Sequence, residues 1–138
     1  MKSQLPHLFL QVLRQIREQA QFESDPKLLM PPEFMALKYF EEHPSGTLSS
    51  FALFMHVRKP TATELLQRLF KREFLKRLQS EKDRRVFEVE ITPEGIQALR
   101  DAEKAFEFYA NGVFAVLNGE EQAELFKLLS KITNQKNG

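Results

Sequence analysis

A chain of 138 residues is long enough for one domain with a buried core and too short for two independent ones. It has no cysteine, which excludes disulfides, thiol catalysis, cysteine-based redox sensing and cysteine-ligated metal, and no apolar run approaches membrane-spanning length. The net charge of +1 hides a segregation: residues 58–85 hold ten basic and four acidic side chains, net +6, while the remainder is net −5.

In chain order, Leu5, Leu8, Phe9, Val12, Leu13 and Ile16 recur at helical spacing, with Pro6 near the start. SDPK, residues 24–27, reads as a turn. Pro31 and Pro32 open a second helix carrying Phe34, Leu37, Lys38, Tyr39 and Phe40, which stops at the breaker cluster HPSG, residues 43–46. Thr47 or Ser49 is suited to cap a short third helix over 50–55.

After VRKP comes TATELLQRLFKR, predicted as a helix over 61–72 with Pro60 in its first turn and Thr61 and Glu64 forming a capping box. Its two faces separate cleanly. Ala62, Leu65, Leu66 and Leu69 make an apolar stripe; Thr63, Glu64, Gln67, Arg68 and Lys71 make a polar one.

Two strands are expected next, over about 74–79 and 85–91, around the charged tip EKDRR. In the second, Phe87, Val89 and Ile91 alternate with Val86, Glu88 and Glu90, the pattern of one buried face. Thr92, Pro93 and Glu94 then supply an N-cap, a first-turn proline and an acid at the positive end of the helix dipole. Apolar residues from Ile96 to Leu117 mark a long helix. Asn118 and Glu121 cap another, with Leu125, Phe126, Leu128, Leu129 and Ile132 inside it. These last helices carry more apolar surface than one small domain readily covers, so a homodimer is expected.

Short helix, turn, polar-striped helix and charged ribbon, in that order, predict a mainly α fold with a small β-wing: a winged helix-turn-helix over 29–95. The helices at 1–22 and 96–138 are expected to be dimerisation helices from both termini of one domain, 1–138. The segregated cations then have a partner to meet. A polyanion such as double-stranded DNA fits them, although an ordinary solvated basic face has the same composition.

The stretch FALFMHVRKPTATELLQRLFKREFLKRLQSEKDRRVFEVEITPEG, residues 51–95, resembles the multiple-antibiotic-resistance regulator (MarR) family of transcription factors. VRKPTAT with LLQRL looks like that family's recognition helix, DRR followed by ITPEG like its wing, and MPPEF, residues 30–34, like the opening of the helix before the motif. The resemblance implies a homodimeric DNA-binding regulator, often a repressor of a short palindrome, released by a small aromatic or phenolic effector. It also implies roles for individual residues. Thr61, Thr63, Gln67 and Arg68 would face the major groove, with Lys71 on the same stripe. Lys59 and a hydroxyl of Ser49 or Ser50 would meet phosphate, as would Lys82 and Arg84. Asp83 would orient Arg85 into the minor groove.

The sequence departs from the family's pattern in three respects. Arg58 stands where a serine cap is common, so it either shifts the helix start to Thr61 or adds a phosphate contact. Glu73 replaces the usual glycine between helix and wing. Leu53 and Phe54 are apolar where the third helix is normally polar, which keeps open a second reading, a winged-helix module that docks a protein.

His7, His43 and His56 lie too far apart to suggest a metal site, and no catalytic constellation or cofactor motif stands out, so the chain reads as a binding protein rather than an enzyme. The N-terminus lacks the basic-then-apolar layout of a signal peptide, and a cytoplasmic protein is expected.

Overall fold

The computed structural model describes residues 4–22 and 29–134; the turn expected at 24–27 lies outside the described residues. The elements are α1 (Gln4–Phe22), α2 (Pro31–Glu42), α3 (Leu48–Met55), α4 (Lys59–Lys71), β1 (Leu75–Gln79), β2 (Phe87–Ile91), α5 (Pro93–Phe114) and α6 (Gly119–Asn134). By compactness the chain divides into two units, Pro26–Ala105 on one hand and Met1–Asp25 with Phe106–Gly138 on the other.

In the first unit α2, α3 and α4 close over one apolar core. Leu37, Phe40, Phe51, Leu66, Leu69 and Leu99 are almost wholly enclosed there. The predicted stripe on α4, Ala62, Leu65, Leu66 and Leu69, is buried as a set. Leu99 and Ala102 of α5 belong to the same core, which is why this unit runs to Ala105, beyond the limit at residue 95 drawn from the sequence.

β1 and β2 form an antiparallel ribbon in which Leu75 faces Ile91, Arg77 faces Val89 and Gln79 faces Phe87. β1 reaches Gln79 as expected, whereas β2 begins at Phe87, two residues nearer the core than the sequence pattern suggested. Val89 is buried, whereas Phe87 is exposed, because the ribbon leaves the core as it approaches its tip. Its root is held by the chain before α3, where the Val89 N–H donates to the Gly46 carbonyl at 2.8 Å.

The helix ends follow simple capping chemistry. Thr47 Oγ1 accepts from the Ser50 N–H and Ser50 Oγ accepts from the Thr47 N–H, so α3 starts at Leu48, two residues earlier than predicted. α4 also begins early. Arg58 is extended, Pro60 lies in the first turn, and the Ala62 N–H already donates to the Arg58 carbonyl at 3.1 Å. The expected Thr61–Glu64 capping box is therefore absent: both residues lie inside the helix. Asn118 and Glu121 do form a reciprocal box at the start of α6, each bond 2.9 Å.

In the second unit Ile16, Tyr109 and Ala110 are buried, but no side chain of α6 is. Leu5, Leu8, Phe9 and Leu10 on α1, and Phe126, Leu128 and Ile132 on α6, are exposed. Among the described residues no helix is long and apolar enough to cross a membrane.

Candidate nucleic-acid interface

α4 turns its polar stripe outward. Thr61, Glu64, Gln67, Arg68 and Lys71 are exposed, Thr63 is half-buried, and Arg58 and Lys59 are exposed at the helix start. Beside α4 lies a cleft whose walls bring together Ser49, Thr63, Arg77 and Arg85. A shallower groove along α4 is lined by Gln67, Arg68, Lys71, Lys76 and Arg77.

The tip of the ribbon is built by its own side chains. Ser80 Oγ accepts from the Lys82 and Asp83 N–H groups, and the Ser80 N–H donates to the Val86 carbonyl at 2.9 Å. Asp83 then captures Arg85 three times. The Arg85 N–H donates to Oδ1 at 3.0 Å, Nε to Oδ1 at 3.1 Å and Nη2 to Oδ2 at 3.2 Å. A planar fork on a carboxylate fixes direction as well as distance. Arg85 remains 90% exposed, so the pair presents the guanidinium rather than hiding it. The Arg85 side chain, followed by its N–H, holds the Asp83 carboxyl below its ordinary value, and slight desolvation opposes this.

Charge around the site divides into spent and unspent. Arg72 pairs with Glu33 at 3.7 Å and lies over the Phe74 ring; Lys76 pairs across the ribbon with Glu90 at 3.2 Å. Arg77 lies over the Phe70 ring, 4.8 Å from its centroid. Arg58, Lys59, Arg68, Lys71, Lys82 and Arg84 have no acidic partner among the described residues.

Of the two serines, Ser49 is exposed on the cleft, whereas the Ser50 hydroxyl is engaged in the cap of α3, also donating to the Thr47 carbonyl at 3.0 Å. The single Ser50 hydroxyl proton is thus already used within the cap. Arg77 was not singled out from the sequence although it borders both hollows. Two residues after Leu75, it shares that residue's face of the ribbon, the side toward α4.

Helix, turn, helix and a clasped ribbon define a winged helix-turn-helix protein. Residues 29–87 match the model of the MarR family. Over 107 residues it is 27% identical to the uncharacterized HTH-type transcriptional regulator YsmB of Bacillus subtilis, spanning 78% of this chain and 73% of that one. Its fold is similar to the crystal structure of MarR, with a TM-score of 0.79 at 23% identity over 96% of this chain and 90% of that one. It is also similar to MepR in an S. aureus MepR–DNA complex, with a TM-score of 0.65 at 20% identity over 96% and 98% of the two chains.

Proposed function

We propose that this chain is a transcriptional regulator that binds double-stranded DNA sequence-specifically as a homodimer. α4 enters the major groove, the ribbon tip brings Arg85 to the minor groove, and Lys59, Lys82, Arg84 and Ser49 hold phosphates. The observation that carries the reading is the set of cations without acidic partners on exposed α4 and at a tip where the Asp83 carboxylate is committed to aiming Arg85. Phosphate contacts supply affinity and salt dependence, and groove contacts supply the reading of sequence.

The exposed apolar faces of α1 and α6 support a second copy as the partner that covers them. Two copies present two reading helices about one turn of duplex apart, the spacing a palindrome requires. Repression, with release by a small aromatic or phenolic effector, completes the proposal. A hollow in the second unit, with Gln15 of α1 and Phe108, Tyr109 and Val113 of α5 among its walls, supports an aromatic ligand.

The test is binding of the full chain to a labelled promoter-fragment library across a salt series. Affinity is expected to fall steeply as salt rises. Arg85→Ala is expected to weaken binding by roughly 1–3 kcal/mol with an unchanged melting temperature. A second reading, a winged-helix module that docks a protein, is favoured by Leu53 and Phe54, which stand 77% and 48% exposed on α3. Absence of duplex binding at low salt would select that reading.

A further inference from the structure

Resting on the DNA-binding reading, we propose that Glu64 is a specificity-determining residue that reads a cytosine in each half-site by accepting a hydrogen bond from its N4 amino group. Glu64 lies in the second turn of α4, exposed, on the outward stripe with Gln67 and Arg68. Arg68 follows it by four residues, the spacing and direction at which Glu and Arg pair on a helix. They do not pair here, and neither has another ion-pair partner among the described residues. Glu33 and Glu90, by contrast, are joined to Arg72 and Lys76. Glu64 is thus an unneutralised carboxylate on the rim of a groove whose other charged walls, Arg68, Lys71, Lys76 and Arg77, are all cationic.

An anion there opposes phosphate, so it weakens binding to every duplex unless it meets a donor. An ionised carboxylate only accepts. The base edges of the major groove offer two amino donors, adenine N6 and cytosine N4. Adenine sets its N7 acceptor beside N6, where it repels the second carboxylate oxygen; cytosine has a C–H in the adjacent position. Cytosine is therefore the base that this side chain favours. Repulsion from all other sites increases the discrimination, since affinity is lost wherever the donor is missing.

Selection of bound duplexes from a random pool tests this, with wild type and Glu64→Gln run in parallel at one salt concentration. Wild type is expected to enrich a palindrome with one position per half-site at which cytosine is favoured about ten-fold or more. Glu64→Gln is expected to lose the cytosine preference at that position alone, and to bind unselected duplex more tightly than wild type because a negative charge has gone. A residue that merely supports the fold would move neither the identity of one base nor non-specific affinity upward. An identical consensus from both proteins, or a wild-type consensus without such a cytosine, overturns the proposal while leaving DNA binding intact. A wild-type protein that enriches no duplex overturns the DNA-binding reading itself, and this inference with it.

Discussion

Glu73 stands at φ 62°, a left-handed conformation in which a β-carbon crowds the backbone. It is there because α4 ends in a Schellman motif: the Phe74 N–H donates to the Leu69 carbonyl at 3.0 Å and the Glu73 N–H to the Phe70 carbonyl at 2.9 Å. α3 ends the same way with His56 at φ 56°. Glycine at position 73 would relieve the crowding and cost some freedom lost from the unfolded chain. Glu73→Gly is expected to stabilise the protein by about 0.5–1 kcal/mol, read as a higher urea midpoint. At the tip, Asp83 has a lowered pKa, so its grip on Arg85 is complete above the ordinary value of 3.8 and is lost only as pH falls through the lowered one. Carbon-detected NMR titration should find the Asp83 midpoint below 3.8 in wild type and returned toward it in Arg85→Ala. The strain at position 73 was implied by the family resemblance and the DRR cluster stood in the sequence itself, and each is a local demand of a few bonded residues.

Among elements, the entry into α5 shows how much a tetrapeptide can encode. In TPEG, Thr92 Oγ1 accepts from the Gly95 N–H at 2.9 Å and donates to the Glu73 carbonyl at 2.6 Å, Pro93 begins the helix, and Glu94 lies in its first turn. Gly95 has a reason that no propensity supplies: a β-carbon there would sit 2.2 Å from the Phe74 carbonyl oxygen. Gly95→Ala is expected to destabilise the protein, because overpacking against main chain costs roughly 1–3 kcal/mol and outweighs the helix preference of alanine. Equilibrium unfolding in urea, with an unchanged slope, would measure it. The start of α4 departs from the sequence rule for the converse reason. Thr61 and Glu64 satisfy the sequence rule for a cap, but the extended Arg58 and the first-turn Pro60 start the helix sooner, so the Glu64 N–H that Thr61 would cap lies within the helix. The place of Arg77 is not legible in the sequence because β1 alternates poorly: only Leu75 is buried, so the face its neighbours share is hidden in the pattern.

For the whole molecule, the sequence displayed two imbalances, cations crowded into one fifth of the chain and apolar residues in excess on the terminal helices. The second is visible in the fold as an α6 without a buried side chain, Phe126 being 75% exposed. A second copy as cover makes a plain prediction. Wild type should sediment as a dimer at micromolar concentration, while Phe126→Glu shifts it toward monomer with its helix content retained. Where one compact unit ends and the next begins was not legible, because Leu99 and Ala102 continue the heptad-like pattern of α5 without any break that marks their allegiance to the core under α4.

The joint at Thr92 has a mechanical corollary. A single residue separates β2 from α5, and the same threonine is tied by hydrogen bonds to Phe74 and Glu73, the residues that leave α4. Ribbon root, end of α4 and start of α5 are thus bolted together without slack. Torque on α5 must swing both prongs as one piece, like a key turned by its shank.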